Sequence, residues 1–198
     1  MNSDQYKTIK SKSEGFFKDR NSKFYAFAFP VKTEDDIQRF RVGIRKEYYD
    51  ARHHVYAYRL GSDMKLFRAS DDGEPSNSSG PPILGKIKSY GLTDILIVVV
   101  RYFGGTKLGI PGLINAYGTA AEEAIKNAGI IVKTVTRKLV IEFEYAQMND
   151  VMRLIKNFNL TVAEQNLQMS CEMILEIPLG IFTKLKRKFE QNHKLKVR

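Results

Sequence analysis

Ten residues, Asp94 to Phe103 (DILIVVVRYF), hold an aliphatic, mostly β-branched run with no polar alternation. A strand of that kind has no face suited to water. It therefore predicts a strand covered on both sides, at the centre of a sheet with other elements packed on it. The loop that follows, GGTKLGIPG, opens a helix whose stripe is Leu113, Tyr117, Ala120, Ala124 and Ala128, with Gly129 as its expected stop. Upstream, Pro81-Pro82 suits a first helical turn, because proline lacks an N–H that would be unpaired there. That helix is expected to run to about Tyr90, with Gly91 ending it.

The rest of the chain reads as alternating short elements. Tyr6–Ile9 and Glu14–Lys18 look like short strands, and Lys23–Val31 (KFYAFAFPV) is a stronger one. Pro30 places the far end of that strand at an edge or outside the sheet. Thr33 is a helix cap followed by Glu34, Asp35 and Asp36, and Ile37, Phe40, Ile44 and Tyr48 mark the buried face. His54–Leu60 and Met64–Ala69 form a hairpin around Gly61-Ser62-Asp63. After Gly129 the pattern restarts. An alternating strand spans Leu139 to Tyr145, and Met148, Val151 and Ile155 mark a helix. A strand follows at Leu160–Gln165. Leu167, Met169, Cys171, Met173, Leu175 and Ile177 form one long alternation, and Phe182, Leu185 and Phe189 mark a final helix. This βαββα order predicts a second small α+β domain starting near Ile131.

Composition limits the function classes. The longest apolar run, Ile95–Val100, is too short to cross a bilayer. The N-terminus MNSDQYKTIK has no apolar signal stretch, and the single cysteine, Cys171, excludes an internal disulfide framework. The expected setting is the reducing cytoplasm, with no membrane association. Net charge is +10, from 32 basic and 22 acidic residues. The excess is densest in the C-terminal segment, where Lys184, Lys186, Arg187, Lys188, Lys194, Lys196 and Arg198 face Glu190 alone. Such a surface draws polyanions. It reads either as a solvated helix with a basic tail or as a contact for RNA, DNA or an acidic protein, with Lys184, Lys186, Arg187 and Lys188 as the nucleic-acid candidates.

DDGEPS at 71–76, Gly80 with Pro82-Ile83-Leu84, and RYFGG followed by Leu108-Gly109 and Gly112-Leu113 resemble the YigZ/IMPACT family. ARHHVYAY at 51–58 and KFYAFAFPV at 23–31 fit the same pattern, so the resemblance covers about Ser13 to Ala128. It implies an α+β protein of two domains. Residues 1–130 would have the fold of a ribosomal small-subunit protein's second domain and of elongation factor G. Residues 131–198 would be ferredoxin-like, similar to elongation factor G's last domain. In eukaryotic relatives the family looks like a translation regulator that binds proteins. The chain departs from the family pattern at Val55, at Asn77, Ser78, Ser79 and Pro81, and at Pro111 and Asn115. The loss of two basic residues there weakens phosphate binding beside the loop.

The residues themselves offer several chemistries. GGTKLGIPG after a buried strand is a plausible anion cradle, with Lys107 and Arg101 adding charge. The same glycines (Gly104, Gly105, Gly109, Gly112) equally permit a tight crossover between packed elements. Asp71, Asp72 and Glu74 could hold a cation, cap a turn, or pair with Arg101 or Arg52. With no second carboxylate cluster, neither a metal nor any other cofactor is expected. His53 and His54 lie on opposite faces of a strand, so they cannot chelate together. His54 with Asp72 and Ser76 or Ser79 could form a nucleophilic set, or hydrogen-bond the DDGEPS loop. The leading expectation is a non-enzymatic binding protein linked to translation. Its recognition surface would be His54, Asp71, Asp72, Glu74, Ser76, Arg101, Gly104, Gly105 and Lys107, brought together as one exposed rim. Its partners would be RNA, the ribosome or a protein of the translation machinery. The alternative is an enzyme acting on a phosphorylated or peptide-like substrate at the same face.

Overall fold

The computed structural model describes residues 4–168 and 170–198. It divides into two compact units, one spanning Tyr6–Lys133 and one made of Thr134–Arg198 with residues 4–5. The chain is thus a two-unit α+β protein.

The first unit contains β1 (Gln5–Ile9), β2 (Ser13–Asp19), β3 (Ser22–Pro30), α1 (Glu34–Glu47), β4 (His53–Leu60), β5 (Leu66–Ser70), α2 (Gly80–Ser89), β6 (Ile95–Tyr102), α3 (Gly109–Ala128) and β7 (Ile130–Thr134). Five strands form an antiparallel sheet in the order β2-β3-β6-β4-β5, with the apolar strand β6 in the middle. Ile95, Leu96, Ile97, Val98, Val99 and Val100 are all buried, as a strand covered on both faces requires.

Side-chain size decides which elements cover each face. One face of β3 and β4 carries Phe24, Ala26, Ala28, Val55 and Ala57, and the stripe Ala116, Ala120, Ala121 and Ala124 of α3 packs onto it beside α2. Small residues on both partners let the helix pair come close. The other face carries Phe27, Phe29, Tyr56 and Tyr58 and meets α1 through Ile37, Phe40 and Ile44. Large aromatics there fill space that a single helix cannot. The strings FYAFAF and VYAY therefore encode both faces at once.

Thr33 caps α1 in a capping box. Its hydroxyl accepts from Asp36 N at 3.1 Å, and Asp36 Oδ2 accepts from Thr33 N at 3.2 Å. Pro30 is tolerated because β2 pairs with β3 only as far as Ala28. On that side Pro30 has no partner that would require an N–H.

The second unit contains β8 (Thr136–Glu144), α4 (Met148–Asn157), β9 (Thr161–Leu167), β10 (Ser170–Pro178), α5 (Leu179–Glu190) and β11 (Leu195–Val197). The sheet order β11-β8-β10-β9 with two helices on one face is the βαββαβ ferredoxin-like arrangement.

Four local expectations shift. Met64 sits at φ 60 in the turn after β4, so β5 begins at Leu66. Ile130–Thr134 is a strand that pairs with β1, so the second unit starts at Thr134 rather than near Ile131. The alternation from Leu167 to Ile177 is two strands joined by a hairpin rather than one, and Met169 lies outside the described residues. The C-terminal tail ends in β11, because Leu195 is buried and pairs with Phe143 of β8. Periodicity cannot reveal a three-residue strand, which is too short to alternate.

Candidate functional site

The acidic turn after β5 is bound into the fold through each of its carboxylates. Asp71 accepts from Asn77 N (2.8 Å), Ser79 N (3.0 Å), Ser79 Oγ (2.9 Å) and Gly80 N (2.8 Å). It thereby caps α2, whose own cap position, Ser79, makes no side-chain capping bond. Burial alone would raise the Asp71 carboxyl. The donors from Gly80, Asn77 and Ser79 outweigh it and hold the group below its ordinary value. A depressed carboxyl stabilises the fold above the unfolded value of about 3.9, and that contribution is lost as pH falls through the folded value. Asp71→Asn should therefore cost about 2 kcal/mol at neutral pH. The gap from wild type should close as pH drops below about 4 in denaturation measured at several pH values.

Asp72, in a left-handed conformation at φ 44, turns its side chain toward β4 and α1. Its carboxylate accepts from His54 N at 2.6 Å and from Arg45 Nη2 at 2.8 and 3.0 Å. The Asp72 carbonyl accepts from His53 Nδ1 at 2.9 Å, which fixes the proton on that nitrogen. The imidazole that touches the DDGEPS loop is thus that of His53. The His54 ring turns the other way and donates from Nε2 to the Tyr48 carbonyl at 3.0 Å. Burial, only partly opposed by the Tyr48 carbonyl, lowers the His54 pKa and favours the neutral ring.

Glu74 reaches inward. Its Oε1 accepts from Arg101 Nη1 at 2.6 Å and from the Tyr117 hydroxyl at 2.7 Å. Both side chains of the ion pair are almost sealed, at 8% exposure for Arg101 and 4% for Glu74. Arg101 also lies 5.6 Å from the ring centroids of Phe24 and Phe103, and its Nε has no hydrogen-bond partner among the described residues. Burial, followed by the charge of Glu74, pushes the Tyr117 phenol far up, so it stays a donor. The DDGEPS turn and the RYFGG strand therefore do meet, but through a closed joint of Glu74, Arg101 and Tyr117. The rim that the sequence predicts as exposed is closed at this joint.

The diglycine segment serves the neighbouring turn. Gly104 N donates to Ser22 Oγ at 3.1 Å, and a Cβ at Gly104 would lie 2.1 Å from the Asn21 carbonyl carbon and 2.2 Å from Ser22 N. The Lys107 carbonyl accepts from Arg20 Nη1 at 3.5 Å. Gly104→Ala should cost about 1–3 kcal/mol by forcing the β2–β3 turn away, a loss that thermal unfolding would register. Of the nine residues expected to form the rim, Ser76, Gly105 and Lys107 are exposed.

Comparison with known proteins places the chain. The Impact N-terminal domain model matches residues 20–125, from the start of β3 to near the end of α3. IMPACT family member YvyE of Bacillus subtilis is 33% identical over 159 residues, covering 80% of this chain and 73% of that protein. The chain belongs to the IMPACT family. Another IMPACT family member, YigZ of Escherichia coli, is 33% identical over 138 residues, covering 69% of this chain and 68% of its own. Protein IMPACT of Rattus norvegicus matches 96 residues at 31% identity, 46% of this chain and 30% of that protein. A crystal structure of a hypothetical protein superposes with a TM-score of 0.72 at 25% identity, covering 98% of this chain and 96% of that one.

In this IMPACT family member, the sequence marks Tyr117 and Tyr48 only as buried-face positions of their helices, and Arg45 not at all. A signal for Tyr117 was present. A tyrosine within an otherwise alanine-rich helical stripe needs a buried partner for its hydroxyl.

The second unit separates its charges by face. On the helix side Lys156, Lys184, Arg187 and Lys188 turn away from the sheet, and Lys194 follows α5. Arg153 pairs with Asp150 at 2.6 Å and Lys186 with Glu190 at 3.7 Å. The other five cations have no acidic partner among the described residues, and Lys188 Nζ sits 4.8 Å from the Phe158 ring centroid. Lys188, His193, Lys194 and Leu154 line a shallow depression of about 460 Å³ between α4 and the end of α5. The open sheet face is acidic instead. Register puts Glu142, Glu164, Glu172 and Glu176 on it, relieved by Lys138, Lys196 and Arg198.

Proposed function

We propose that this protein is a non-enzymatic, translation-associated binding protein whose RNA- or ribosome-binding surface is the α4–α5 face of the second unit. The observation that carries this reading is the sidedness of charge. Five cations without acidic partners lie on the helix face, while glutamates line the opposite face of the same sheet. A phosphate backbone is attracted to the first surface and repelled by the second, so the field orients the contact as well as strengthening it. The open sheet face, which aromatic residues would make a stacking platform in other RNA-binding modules, offers glutamates here. The link to translation rests on the family resemblance.

The loop face of the first unit supports binding over catalysis. Asp71 and Asp72 have both oxygens engaged by donors of the fold, and Glu74 is held through Oε1 by Arg101 and Tyr117, so each carboxylate serves the fold. Ser76, Gly105 and Lys107 are the members of that face open to a partner.

Purification without nuclease at low salt tests this reading. The protein should retain nucleic acid, seen as excess absorbance at the base maximum, that ribonuclease removes and deoxyribonuclease does not. Protein that is free of nucleic acid, or that retains one stoichiometric protein partner through ribonuclease treatment, would replace the RNA reading with a protein-binding one.

A further inference from the structure

A second polar site lies in the first unit, away from the diglycine loop. Gln38, Arg41, Val42 and Arg45 of α1 face His54, Val98 and Asp72 across a cleft of about 360 Å³. It exists because one helix covers a wide sheet face and leaves the β4 side open.

Three features make this cleft a built site. Arg41 sits over Tyr56, its guanidinium carbon 3.7 Å from the ring centroid. That cation–π contact restrains the guanidinium beside the cleft. Its one hydrogen bond is a long contact to Gln38 Oε1 at 3.4 Å, and it has no ion-pair partner among the described residues. Next, the carboxylate of Asp72 does not compete for a ligand's donors, since both oxygens are taken by Arg45 and His54 N. Third, the Tyr48 carbonyl can only accept, so His54 Nε2 carries the ring proton. His54 Nδ1 is then a lone-pair acceptor, and it has no hydrogen-bond partner among the described residues. The cleft thus offers a preorganised cation beside a neutral acceptor.

We propose that this cleft binds a phosphate group that retains one P–OH. The charged oxygens would accept from Arg41, and the P–OH would donate to His54 Nδ1. The chemistry is specific, because at neutral pH phosphate and phosphate monoesters keep a protonated fraction, whereas sulfate has no proton to donate to the imidazole. This site is independent of the RNA-binding face, so either reading can fail alone.

Isothermal titration of the whole protein at low ionic strength, with inorganic phosphate, sulfate and a nucleoside 5′-monophosphate, tests it. Phosphate should bind about 10-fold more tightly than sulfate, the value of one additional hydrogen bond at such a site. Arg41→Met, at a partly exposed helix position, should weaken phosphate about 10-fold or more with unchanged thermal unfolding. His54→Phe should abolish the preference over sulfate. Tighter binding of the monophosphate than of free phosphate would identify the ligand as an ester, and equal binding as the free ion. No phosphate binding, equal affinity for sulfate, or an Arg41→Met variant that binds like wild type would overturn the proposal. The wild-type comparison of phosphate with sulfate decides the matter even if His54→Phe fails to fold.

Discussion

Glu74→Ala is expected to destabilise the first unit by about 3–5 kcal/mol, the usual cost of stranding one partner of a buried ion pair. Arg101 would keep its charge at a position that is 8% exposed, and the Tyr117 hydroxyl would lose its acceptor. The guanidinium already carries one unpaired donor at Nε, so it has little local polarity to fall back on. Chemical denaturation of Glu74→Ala, Arg101→Met and the double variant Glu74→Ala/Arg101→Met separates the contributions. The double variant should be far more stable than the summed singles, because removing both charges also removes the desolvation cost. A Glu74→Ala loss below about 1 kcal/mol would mean that water reaches Arg101 and that the joint is not closed.

The second large effect concerns the basic face. Lys184→Gln/Arg187→Gln/Lys188→Gln should lower affinity for single-stranded RNA about 100-fold or more at low salt, since each lost phosphate contact removes about 0.7 from the salt exponent. Folding should be nearly unchanged, as all three side chains are exposed on α5 while Phe182, Leu185 and Phe189 hold the helix to the sheet. Fluorescence anisotropy with a labelled oligonucleotide reads the first effect and thermal unfolding the second. If the triple variant binds RNA like wild type, the contact lies elsewhere.

Much of the architecture was legible because burial leaves periodic marks. The unbroken apolar run of β6 forecast a central strand, and Thr33 with its acidic followers forecast the start of α1. What escaped reading falls into two physical kinds. Short strands such as β11, and β7 in its pairing with β1, are stabilised by a neighbouring strand rather than by their own pattern. Long-range polar pairings leave no periodicity at all. Asp71 capping α2, Arg45 reaching Asp72 and Glu74 entering the core toward Arg101 join residues 8 to 27 positions apart. For the candidate site, sequence identified the segments that meet. It could not tell that their meeting point would be sealed, because the same charged residues suit a buried pair or an open rim.

The central claim, that the α4–α5 face holds RNA through its phosphates, is tested most directly by RNA affinity across a salt series. With about five phosphate contacts, the logarithm of the association constant should fall with a slope near −3.5 against the logarithm of salt concentration, about 100-fold over a fourfold rise in salt. A slope near zero, or no measurable binding at low salt, would contradict it.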